Sequence, residues 1–241
     1  MKDIVSLINY LKGINIKYMN PGISINAARL AISLIIAYQL ILIALIFIRP
    51  DLDPSWHTIS EWAIGRHGWI MSMAFIISAL SYAALWKMLK SQVRGLTGKI
   101  GIALLFICVI GTIGVGVFTT DPYPPDFTNT RTVFHTICGG TAMFLLPFAA
   151  LVININLALK NKAWLPARKK LLWTAGLPLL ALIGFIVHLS IFVMPLGENA
   201  NGPGVQIGWP PRILFLCYMI WVITLTWQAI KLQINSGYPK L

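Results

Sequence analysis

The sequence predicts an all-α, polytopic membrane protein with six transmembrane helices, both termini cytoplasmic, and a short interfacial helix in the first outer loop. Three observations carry that expectation. The 241 residues are 57% apolar and 11% charged, with a mean hydropathy of +0.76; a soluble domain carries about 25% charged residues. Stretches without Asp, Glu, Lys or Arg run over 30–48, 67–86, 100–120, 132–159, 171–197 and 213–230. Each is long enough to cross a hydrocarbon core of about 30 Å at ~1.5 Å per residue. With the N-terminus inside, every basic residue except Arg49, Arg66, Arg131 and Arg212 falls on the inner face, as the positive-inside rule requires. The net charge of +12 is therefore a topology signal with some attraction to anionic headgroups. No nucleic-acid partner is expected.

The expected organisation is a cytoplasmic N-terminal segment over 1–27, a six-helix transmembrane domain over 28–232 and a cytoplasmic tail over 233–241. The first segment mixes Lys2, Lys12 and Lys17 with Ile4, Val5, Leu7, Ile8 and Leu11, and is broken by Gly13 and Pro21. It reads as an amphipathic segment on the inner leaflet or as a tail, and it lacks the pattern of a secretory signal.

Between the first two spans lies DPSWHTISEWAIGRHGW, residues 53–69. Asp53 suits an N-cap, Pro54 a first helical position and Gly65 a stop, so a helix over 54–64 is expected. At 100° per residue, Trp56, Ile59, Trp62 and Ala63 share one side, and His57, Ser60 and Glu61 the other. Trp56, Trp62 and Trp69 would then anchor the loop at the membrane surface. His57 and Glu61, four apart, are either an exposed helix pair or a metal-binding or acid–base pair over the bundle mouth.

Small residues mark the third and fourth spans: Gly101, Gly111, Gly114 and Gly116, then Thr136, Gly139, Gly140 and Thr141. They allow close helix packing, or line a cleft that admits a lipid chain. Between these spans, TTDPYPPDF places Asp121 at the negative end of a helix dipole, where a cation would compensate it. Pro147 and Pro178 lie inside spans and are expected to kink them. Asn154 and Asn156 are expected at the inner interface. Cys108, Cys138 and Cys217 show no metal-type spacing and read as buried apolar side chains.

The polar chemistry is one-sided. Every acidic residue except Asp3 falls outside, and His57, His67 and His135 sit at outer loops or helix ends. His188 lies deep in the fifth span, where an ionisable residue usually faces a partner. His57, Asp121, His135 and His188 are donors of the kind zinc uses. With such a metal, Glu61 is a candidate general base and Ser60 an orienting residue. The competing reading is structural, with Arg49, Arg131 and Arg212 pairing to Asp121, Glu61 and Glu198.

HTISEWAIGRHGWIMSMAF, GVFTTDPYP and HTICGGTAMFLLPFA resemble the bacterial and archaeal six-span proteins grouped as domain of unknown function 998, over about residues 30–230. That family is similar in layout to the Frag/DRAM/Sfk-type eukaryotic membrane proteins, some of them linked to lipid remodelling or distribution. The resemblance implies six helices, an outer polar cluster that includes His57, Ser60, Glu61, Asp121 and His135, and a prokaryotic plasma (inner) membrane. It brings no reaction with it, and GFIVHLS around His188 lies outside its motifs. A looser likeness to zinc-dependent seven-span hydrolases is chemical only, because this chain lacks their HxxxH pair.

Three functions are therefore expected in descending order. The first is binding of membrane lipids or a membrane partner. The second is a metal-dependent hydrolase or transferase acting on lipid headgroups. The third is an ion- or proton-coupled transporter, for which the inner halves of the spans offer few polar groups. Oligomeric state is not legible.

Overall fold

The structure, a computed structural model, describes residues 22–122, 125–200 and 202–236, excepting the side chains at 198 and 199. It is 80% helical, without strands among the described residues, and six helices are long and apolar enough to cross a membrane. They are α1 (Ile25–Ile48), α2 (Gly68–Leu89), α3 (Gly95–Val117), α4 (Thr130–Lys160), a composite fifth span built on α5 (Arg168–Ala175) and α6 (Leu177–His188), and α7 (Trp209–Asn235). The expected amphipathic N-terminal segment lies almost wholly outside the described residues.

Helix α1 begins where Ser24 caps it, its hydroxyl accepting from the Ala27 N–H at 3.3 Å; this satisfies one of the orphan donors of the first turn. Its buried positions, Ala28, Ala31, Ile35, Tyr38, Leu42 and Leu45, recur every three or four residues and form one seam. Leu40 and Phe47, on other faces, are 60% and 78% exposed. Lipid and core both accept apolar side chains, so composition does not separate the two faces.

Small and polar residues mark the contacts instead. Helices α3 and α4 pack closest of all, because α3 offers glycine where α4 approaches. A Cβ at Gly111 would fall 2.8 Å from the Cys138 carbonyl oxygen, and one at Gly114 only 2.4 Å from Cys138 Sγ. Ser81 ties α2 to α1 by donating to the Ala31 carbonyl at 2.7 Å.

Asn154 and Asn156, near the inner end of their span, are both buried and link helices. The Asn156 amide donates to the Arg94 carbonyl and accepts from the Arg94 N–H, each at 2.8 Å. Asn154 donates to the Leu171 carbonyl at 3.0 Å and accepts from Trp221 Nε1 at 3.1 Å. An unpaired amide is costly in hydrocarbon, so each finds partners inside the bundle.

The fifth span is segmented. A 3-10 turn, Lys162–Ala167, precedes α5; α6 restarts after Gly176, with Pro178 in its first turn, where no N–H is required. Pro178 thus opens a helix rather than kinking one, whereas α4 runs through Pro147. Beyond α6 come a π turn, Leu189–Val193, and a 3-10 turn, Met194–Asn199. Helices α4 and α7 barely touch. Tyr218 bridges part of the gap by donating its hydroxyl to the Met143 carbonyl at 2.6 Å.

Candidate functional site

The HTISEW stretch forms less helix than its pattern predicts. Only Ile59–Ala63 is helical, as a 3-10 turn with a capping box between Thr58 and Glu61. The Glu61 carboxylate accepts from the Thr58 N–H, which fixes the helix start at 58 instead of 53. Asp53 closes a local turn, its carboxylate accepting from the Ser55 N–H at 2.8 Å. Its carbonyl accepts from the His57 N–H at 3.0 Å and from His57 Nδ1 at 3.1 Å.

This register changes which residues face inward. In a 3-10 turn, positions i and i+3 eclipse, so Ile59 and Trp62 share the buried face. Trp62 is 1% exposed and belongs to the core, not to an interfacial anchor. Trp56 lies half-buried with its ring 3.6 Å from that of His57. Trp69 is 65% exposed.

The start of α7 clasps the turn. Gly208 donates its N–H to the Ser55 carbonyl at 2.9 Å, and a Cβ there would fall 2.2 Å from the Pro54 oxygen. Arg212 donates to the carbonyls of His57 (2.9 Å) and Gly208 (2.7 Å), with its guanidinium 4.8 Å from the Trp62 ring centroid. Arg49 donates to the Ile64 carbonyl at 2.7 Å and pairs with Asp51 at 2.7 Å, the one ion pair among the described residues. That hydrogen bond from Arg49 holds the Asp51 carboxyl below its ordinary pKa. The expected pairings of Arg49 and Arg131 with Asp121, Glu61 or Glu198 are therefore not formed among the described residues; Arg131 is exposed. Arg212 lies near the Glu61 and Asp53 charges and donates to backbone carbonyls. The Glu198 side chain lies outside the described set.

Between α4, α6, α7 and the π turn the bundle leaves a cavity of about 490 Å³. Phe75, Val115, Met143, Phe185, Leu189 and Phe215 supply apolar wall, and Gly139 and Gly140 give α4 a flat surface there. Those two glycines differ from the packing glycines of α3. A Cβ at Gly139 would meet only Val115 at 3.5 Å, and one at Gly140 only Phe144 at 4.0 Å. One end is polar, formed by Thr58, Ser60, Thr120, Asp121, His135 and Thr136.

Asp121 is held from below by α4. Thr132 Oγ1 donates to its carboxylate at 2.6 Å and accepts from its N–H at 3.1 Å. Asn129, the N-cap of α4, adds Nδ2 donations at 3.0 and 3.2 Å. The side chain is thus oriented by neutral donors rather than by an arginine. His135 is 6% exposed and donates from Nδ1 to the Phe118 carbonyl at 2.7 Å, since a carbonyl can only accept. In the neutral ring Nε2 is then an acceptor.

Of the residues singled out from sequence, Ser60, Asp121 and His135 thus line one cavity. Glu61 is turned into its own capping box, and His57 is stacked on Trp56. His188 is half-buried against Phe192, with ring centroids 5.3 Å apart and Nε2 without a hydrogen-bond partner. None of these three is on the cavity lining. Among the described residues, no three of His, Cys, Asp and Glu gather as a metal-holding group.

Comparison with protein families matches residues 31–228 to the one described as "Protein of unknown function (DUF998)". The chain belongs to that family. No curated protein and no solved structure matches it.

In this DUF998 protein the polar end could be read in part from the sequence, through the TTDP turn and the histidine that opens α4. The apolar wall could not. Phe75, Phe185 and Phe215 sit on three different helices with nothing local to link them. Their one sequence signal is the Gly139–Gly140 pair, which stands where a helix facing a close neighbour would carry glycine on one side only.

Proposed function

We propose that this integral membrane protein binds lipid in the cavity beside α4, with an alkyl chain against Met143 and Phe185 and a headgroup at Asp121 and His135. The observation that carries this reading is the cavity's division into a long apolar wall and one polar end. Its volume of about 490 Å³ falls in the ~300–1,000 Å³ range of small-molecule sites. The basic residues cluster at the opposite ends of the helices, which supports an extracytoplasmic position for the polar end. A hydrolytic reading has less support, because Glu61, the candidate base, caps its own turn.

The test is lipid retention. Protein purified in a mild detergent is extracted and its bound lipid quantified by mass spectrometry. Wild type should retain lipid near one per chain. Gly139→Phe, which projects a ring into open space, should lose most of it while keeping its elution profile and helical signal. Equal retention by the two proteins would contradict the proposal.

A further inference from the structure

The polar end of the cavity is lopsided in charge. Among the described residues, Asp121 is the one carboxylate on the lining, and no lysine or arginine lines it. Its hydrogen-bond donors, Thr132 and Asn129, are both neutral. No ion pair within 4 Å reaches it among the described residues. The C-terminal end of α3 adds to the negative potential, with the carbonyls of Val115 and Phe118 facing the His135 ring. His135 lines the same end, and in a neutral ring its Nε2 would add an acceptor. Acceptors and negative potential therefore converge at one end of a largely apolar cavity, and no lysine or arginine among the described residues answers them.

An anionic headgroup would meet repulsion there, and a hydroxyl would leave the charge of Asp121 unbalanced. An ammonium group supplies both the charge and several N–H donors. Resting on the lipid-binding reading, we infer that the ligand is an amphiphile with an ammonium headgroup, directed at Asp121 and His135. Two sources offer this chemistry: a single-chain amine, and a phospholipid with an ethanolamine head.

The experiment offers purified protein, in neutral maltoside micelles, equal amounts of hexadecylamine, hexadecanol and palmitic acid. A parallel arm uses phosphatidylethanolamine. Native mass spectrometry counts the adducts of each. Hexadecylamine should exceed hexadecanol at least tenfold in wild type. Asp121→Asn should bring that ratio within about twofold while leaving hexadecanol adducts unchanged. Adducts in the parallel arm would identify the phospholipid as the source, and their absence the single-chain amine. Equal or stronger binding of the alcohol or the acid by wild type would overturn the headgroup inference, as when a protonated His135 already balances Asp121. That ranking needs no variant, so it decides even if Asp121→Asn fails to fold. Absence of every adduct, with Gly139→Phe indistinguishable from wild type, would instead reject lipid binding itself and this inference with it.

Discussion

Two glycines on facing helices should respond oppositely to one added methyl group. Alanine is favoured over glycine inside a helix by about 0.8–1.0 kcal/mol. At Gly139 the new Cβ meets only Val115 Cγ2 at 3.5 Å, an ordinary contact, and otherwise enters the cavity. Gly139→Ala should therefore leave stability unchanged or raise it by up to about 1 kcal/mol. At Gly114 the new Cβ would lie 2.4 Å from Cys138 Sγ and 2.9 Å from Cys138 Cβ. Overpacking of that kind costs about 1–3 kcal/mol, more than the helix preference returns. The two variants should then differ by about 1–3 kcal/mol. At roughly 2–4 °C per kcal/mol for a chain of this size, that is a readable gap in Tm. Thermal unfolding in a single detergent, followed by tryptophan fluorescence, measures it. Adding Cys138→Gly should restore most of the loss in Gly114→Ala. The reasoning is refuted if Gly139→Ala is destabilised as much as Gly114→Ala, because the face of α4 taken as open would then be packed.

Other positions make separate claims. Asn154→Ala removes the acceptor of Trp221 Nε1 and the donor to Leu171; it should cost about 0.6–2 kcal/mol, seen as a lowered Tm, and an unchanged Tm would count against the hub. Arg212→Lys cannot reproduce the two carbonyl bonds of a planar guanidinium; hydrogen exchange should rise at residues 53–60, with α2 unaffected. Lowered by its bond from Arg49, the Asp51 pKa lies under the ordinary 3.8. Its contribution is thus present above that value and lost as pH falls through the folded pKa. Asp51→Asn should flatten this acid limb of the stability profile, and a limb of unchanged slope would remove Asp51 from the account.

The spans were legible because physics sets their length: a charge inside hydrocarbon is expensive, so charge-free runs mark the helices to within a few residues. The faces of those helices were not. Leu40 and Leu42 are equally apolar, yet one is 60% exposed and the other packs in the core at 8%. Local capping was also ambiguous. Asp53–Pro54 and Thr58–Glu61 both carry start signals, and the capping box fixes the second. With the start at 58, Trp62 enters the core and Glu61 leaves the site. Asp121 and His135, singled out as candidate metal ligands, line the polar end of one cavity. Their partners Thr132 and Asn129 were missed, although Asn129 precedes a long apolar run as an N-cap should.

The central claim is that lipid occupies the cavity beside α4, and photo-crosslinking tests it most directly. A lipid with a diazirine near mid-chain is reconstituted with the protein, irradiated, and the adducts are mapped by peptide mass spectrometry. Crosslinks should concentrate on α4 at Gly139–Met143 and on Phe185 and Phe215, and should fall in Gly139→Phe. Crosslinks confined to lipid-facing positions such as Leu40 and Phe47, with the cavity-lining peptides unmodified, would contradict the account.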